Sequence, residues 1–142
     1  FIATKSGGNS DPPPTPPPSC TPGTRNFSGT LTRLDGFSSI RTRSRADTFQ
    51  QVLTANVGQR VTIRMASDEF DTFLILLNPN GQVVAEDDDS GAALNSEISS
   101  FAPTVSGAYT IEATAFATDE SLPRPGLGSY TLSTSIECIP VG

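Results

Sequence analysis

Two short acidic stretches hold the residues best suited to chemistry, DEFD from Asp68 to Asp71 and EDDDS from Glu86 to Ser90. A hard cation such as calcium takes oxygen ligands, and closely spaced loop carboxylates supply them. Asp68, Asp71, Asp87, Asp88 and Asp89 are therefore the candidate metal ligands, with calcium the candidate cofactor. The competing reading is that Asp87 to Asp89 solvate and cap a turn. Paired carboxylates also serve glycoside hydrolysis, but no aromatic-lined cleft is visible in a chain with no Trp and 2 Tyr. The chain has no histidine, which removes the Ser-His-Asp triad, the Cys-His pair and the usual zinc sets. No nucleophile and base can be named, so the expectation is a protein without catalytic activity.

The 2 cysteines, Cys20 and Cys138, lie near opposite ends of the chain. Pairing them would tie the start of the folded part to its last strand and suits an extracellular domain; two unrelated free thiols are the alternative. Between Asp11 and Ser19 the sequence DPPPTPPPS places six prolines in nine residues. Thr and Ser among prolines are typical of O-glycosylated stalks, and hydroxylated prolines also carry sugar. Pro12, Pro13, Pro14, Thr15, Pro16, Pro17, Pro18 and Ser19 are the candidate attachment sites, against a bare linker as the plain alternative. Asn26-Phe27-Ser28 matches the N-glycosylation pattern, a weak signal in so short a motif.

Length and charge bound the rest. The 142 residues suit one domain plus an appendage, and the net charge of −6 argues against nucleic acid or an anionic membrane as partner. No apolar run is long enough for a membrane span, and the start at Phe1 without methionine suggests a removed targeting segment. A pilin-type start is rejected, because Lys5, Gly7 and Gly8 interrupt it at once.

Short alternating or apolar runs predict about eight strands and no helix, near 26–34, 47–55, 59–67, 71–78, 81–86, 96–101, 107–116 and 128–135. In VTIRMA the apolar Val61, Ile63 and Met65 alternate with Thr62, Arg64 and Ala66, as a half-buried strand requires. TFLILL is apolar throughout, which predicts burial on both faces or a place near the sandwich centre. NPNG, DDDSG and PRPG supply turn chemistry between strands. Tyr109 and Tyr130, at similar places in GAYT and GSYT, are expected in the core with their hydroxyls satisfied at an edge. The arginines of RTRSR, Arg41, Arg43 and Arg45, are expected in a solvated loop or in salt bridges to an acidic neighbouring subunit. The fold class is all-β: a jelly-roll-like sandwich of antiparallel strands with an extended N-terminal arm.

DEFDTFLILLNPNGQVVAEDDDSG, NSEISSF, GAYTIEATAF and GLGSYTLSTS occur in that order between about Phe27 and Ser135. The succession resembles the bacterial pre-peptidase C-terminal domain, related to the collagen-binding modules of clostridial collagenases. That resemblance implies a jelly-roll-like sandwich, secretion and a non-catalytic role, with calcium bound in the collagen-binding relatives. The proline segment and the residues before it are additions to the family pattern.

The organisation expected is a connector strand over 1–10, a polyproline II linker over 11–23 and a sandwich over 24–142. At roughly 3.1 Å per residue, Asp11 to Ser19 spans about 25 Å as a semi-rigid spacer. It holds the connector away from its own domain, and Phe1, Ile2, Ala3 and Thr4 form a short β-favouring run suited to a neighbour's sheet edge. Such a contact is heterologous and need not close, so it generates a head-to-tail homopolymer. The function expected is a structural subunit of an extracellular bacterial filament, assembled by donation of the N-terminal strand. The alternative is a secreted binding module for collagen, polysaccharide or a cell surface, cut from a larger enzyme.

Overall fold

A computed structural model describes residues 22–41, 44–88, 95–116 and 127–138, with backbone alone at 51 and 52. These residues form eight strands: β1 (Gly23–Leu31), β2 (Ala46–Ala55), β3 (Gln59–Ala66), β4 (Thr72–Leu77), β5 (Val83–Asp87), β6 (Ser96–Phe101), β7 (Gly107–Ala115) and β8 (Gly128–Cys138). They pair as nested antiparallel hairpins, β4 with β5, β3 with β6, β2 with β7 and β1 with β8. The β3–β8 and β4–β7 ladders join these into two four-stranded sheets, β1-β8-β3-β6 and β2-β7-β4-β5. This is the jelly-roll arrangement, two facing sheets made by rolling one long hairpin. Among the described residues no helix is long and apolar enough to cross a membrane.

Alternation fixes the inner faces. Val61, Ile63 and Met65 of β3 are fully enclosed between the sheets while Arg64 points to water. They meet Leu74 and Leu76 of β4, Tyr109, Ile111 and Ala113 of β7, and Tyr130 and Leu132 of β8. Both tyrosines are core residues with their hydroxyls bonded, Tyr109 to the Val105 carbonyl at 2.5 Å and Tyr130 to Asp47 Oδ2 at 2.5 Å. The β4–β5 reversal follows NPNG. Asn78 Oδ1 accepts from the backbone N–H groups of Asn80 and Gln82, and Gly81 adopts φ 81°, where a side chain would be strained.

All six residues of β4 are buried, as the unbroken TFLILL run predicts. Phe73, Ile75 and Leu77 form a second apolar cluster on the outward side. The crossover from β1 to β2 meets this side. Arg41 places its guanidinium 4.3 Å from the Phe73 ring and donates to the Phe116 carbonyl at 2.6 Å. Arg45 lies 4.0 Å over the Phe37 ring and donates to the Asp35 carbonyl at 2.8 Å. Arg41 and Arg45 therefore pack against their own domain, unlike the solvated loop expected of RTRSR, because the planar guanidinium stacks on aromatic faces. Arg43 lies outside the described residues.

Two strands depart from the limits expected from periodicity by three residues at an end. β1 runs from residue 23 to 31 instead of 26 to 34, since Asp35 Oδ2 accepts the Thr32 N–H at 2.8 Å and closes a turn there. β8 continues to Cys138 because β3 pairs with it that far, Gln59 opposite Cys138.

Candidate assembly edge

An open sandwich has four edge strands, here β1, β6, β2 and β5. Each exposes a row of backbone groups that another strand could pair with, and bulges are one way proteins blunt such edges. In β2, residues 51 and 52 fall between the pairs Gln50–Thr110 and Leu53–Tyr109. In β5, Val84 falls between Val83–Leu77 and Ala85–Leu76. In β6, Ser99 and Ser100 fall between Ile98–Ile63 and Phe101–Val61, and Ser100 adopts φ 53°. β1 alone keeps an uninterrupted register along its 9 residues, from Gly23 opposite Ile136 to Leu31 opposite Gly128. Among the described residues, none pairs with its outer edge.

Where β1 faces β2, Phe27 and Phe49 meet across the gap between the sheets, ring centroids 5.5 Å apart and planes tilted by 53°. Both are half-buried at the margin of the main core. The Arg25 guanidinium lies 5.2 Å from the Phe27 ring. The outward side of the sheet is polar: Thr24, Asn26 and Ser28 of β1 stand opposite Ser135, Ser133 and Thr131 of β8.

The margin between β5 and β6 is stitched differently. Asp87 Oδ2 accepts the Glu97 N–H at 2.8 Å, and the Ser96 hydroxyl donates to the Asp88 carbonyl at 2.6 Å while lying 2.6 Å from Thr72 Oγ1. These bonds use the acidic stretch as a connector between the sheets. Asp68 and Asp71, in the β3–β4 connection, lie towards the same end of the sandwich. Among the described residues no group of three or more acidic or cysteine side chains converges to hold a metal ion. Asp89, the fifth candidate ligand, lies outside the described residues.

Phe1, Ile2, Ala3, Thr4, the candidate glycan sites Pro12 to Ser19, and Cys20 also lie outside them. Cys138 ends β8, and none of the described cysteines is a free thiol.

Two carboxylates escaped the sequence reading. Glu112 is only 3% exposed and accepts from the Ser38 hydroxyl at 2.5 Å and from the Ser39 hydroxyl. Alternation in GAYTIEATAF places it on the outward side beside Thr110 and Thr114, with no local sign that the β1–β2 crossover covers it. Asp47 accepts the Tyr130 hydroxyl and lies near Asp35. Burial raises its pKa, the Tyr130 hydrogen bond opposes this, and the charge and hydrogen bond of Asp35 raise it further. The Tyr130 phenol is also pushed far upward, first by burial and then by Asp47.

No family model matches the sequence, and no curated protein matches it. Among solved structures it is similar to that of PliG from Aeromonas hydrophila, a periplasmic lysozyme inhibitor of g-type lysozyme. The TM-score is 0.51 and the identity 16%, over 84% of this chain and 89% of that one. At this identity the likeness is one of fold.

Proposed function

We propose that this chain is a non-catalytic structural subunit of an extracellular bacterial filament, built when the N-terminal strand of one copy pairs with the sheet edge of the next. The observation that carries the reading is the regular, unbulged edge of β1, beside three edge strands that each carry a bulge. Proteins that act alone blunt such edges, whereas a subunit that assembles by strand addition needs one of them open.

The segment before β1 supplies the donor. Its Pro-rich stretch favours an extended rod of about 25 Å that leaves the sandwich at Gly23, so the Phe1–Thr4 run is offered to another molecule more readily than to its own. Donor and acceptor surfaces differ, and each added subunit presents the same pair again. Sugar on Pro12 to Ser19 would keep the rod extended and resistant to proteases. A disulfide between Cys20 and Cys138 belongs to the same reading. The pre-peptidase-like order of motifs fits a secreted, non-catalytic sandwich.

Electron microscopy of the purified chain, with and without residues 1–5, tests the proposal. Filaments from the full chain and monomers from the truncated one are expected. Filaments from both would remove the connector strand from the mechanism. Monomers from both would leave a secreted binding module for collagen, polysaccharide or a cell surface as the better reading.

A further inference from the structure

We infer that Phe27 and Phe49 form the socket that receives the apolar side of the Phe1–Thr4 strand from a neighbouring copy, an inference that rests on the strand-addition reading. Phe27 stands opposite Leu132 in the β1–β8 ladder, and Phe49 opposite Ile111 in the β2–β7 ladder. Both rings thus belong to the inward-facing rows, yet both remain half-buried at the last strand of their sheets. The opposite margin is tied by the Asp87–Glu97 and Ser96–Asp88 hydrogen bonds, and its aromatic, Phe101, lies edge-on to the buried Tyr109 with centroids 5.9 Å apart. Both margins carry hydrogen bonds between the sheets, Tyr130–Asp47 on this side, but here two half-buried rings meet each other instead of a buried one.

A strand added to β1 extends that sheet past Phe27, so its inward side chains come to lie over the Phe27–Phe49 pair. Side chains alternate along a strand, which sets Phe1 and Ala3 on one side and Ile2 and Thr4 on the other. Phe1 inward adds a third ring to an existing pair, and Ala3 is small enough to lie under the sheet margin. Thr4 outward joins the row of Thr24, Asn26 and Ser28. Four residues cover about 13 Å, less than half of β1, so the strand can pair around Phe27 without reaching the crowded Leu31 end. The exposed apolar residues Leu34, Phe37, Val57 and Phe116 are poor competitors as donors, because they sit in connections of the described domain and not in a free extended run.

The test uses the full chain carrying the photoreactive p-benzoylphenylalanine at position 27, 49 or, for comparison, 101. Irradiated filaments are expected to give intermolecular cross-links from 27 and 49 to peptide 1–5, identified by mass spectrometry, and none from 101. A second variant, Phe49→Ser, is expected to raise the concentration needed for assembly at least tenfold. Should that variant fail to fold, the cross-links decide. Filaments in which 27 and 49 do not reach residues 1–5, or in which 101 does, overturn the socket and leave filament assembly standing. Failure of the unmodified chain to form filaments overturns filament assembly and the socket with it.

Discussion

Asp47 sits where a hydrogen bond and burial oppose each other, and the net result can be tested. Its folded-state pKa is raised, burial being the largest cause, so the folded chain holds a proton there more tightly than the unfolded chain does. The linked stability is fully present below the unfolded carboxyl pKa of about 3.9 and is lost as pH rises through the raised folded value. Asp47→Asn keeps an acceptor for the Tyr130 hydroxyl but has no charge to desolvate. The variant is expected to lack this decline with rising pH and to be slightly more stable than the parent at pH 7. The gain should be small, because the half-buried carboxyl is partly screened by water. Urea titrations between pH 4 and 7 measure it, and a variant whose pH slope matches the parent's would remove Asp47 as the cause. Glu112 is a different case: two serine hydroxyls of the crossover hold it, so its role is to pin that loop to β7.

At the scale of the element, β1 owes its close fit over Tyr130 to a glycine. A Cβ at Gly29 would lie 2.5 Å from Tyr130 Oη, 2.7 Å from its Cζ and 3.0 Å from Asp47 Oδ2. Tyr130 is fixed in the core and by its bond to Asp47, so it cannot yield cheaply. Gly29→Ala is expected to cost about 1 to 3 kcal/mol of stability by overpacking. It should also loosen β1 from β8, which amide hydrogen exchange along residues 24–30 would report; unchanged protection and an unchanged unfolding midpoint would show that the strand shifts freely. The positions of the strands were legible in the sequence, because period-two alternation and the NPNG turn are local signals. TFLILL likewise announced burial on both sides. The regular edge of β1 was not legible, since a bulge depends on which residue of one strand faces which residue of another. The Phe27–Phe49 contact was hidden for the same reason, with 22 positions separating its members. The bond from the Glu97 N–H of β6 to Asp87 is likewise set by tertiary contact, which the acidic run itself does not announce.

The whole molecule must transmit force if it is a filament subunit. Tension on the N-terminal rod arrives at Gly23, the first residue of an edge strand held on one side only, by β8. Pulling there would peel β1 from β8 one pair at a time, the weakest way to load a ladder. A Cys20–Cys138 bond would intercept that load before Gly23 and pass it to β8, which β3 holds from the other side as far as Cys138. The same bond closes almost the entire sandwich into one loop, and in the chain-entropy model a loop of this length adds about 4 to 5 kcal/mol by restricting the unfolded chain. The double substitution Cys20→Ser, Cys138→Ser is therefore expected to lower the denaturant midpoint by a comparable free energy and to leave the core packing intact. It should also lower the force at which single subunits unfold when pulled from residue 1, with β1 detaching first. Equal midpoints for parent and double variant under oxidising conditions would show that the cysteines contribute no cross-link. A lowered midpoint with an unchanged unfolding force would place the bond outside the load path.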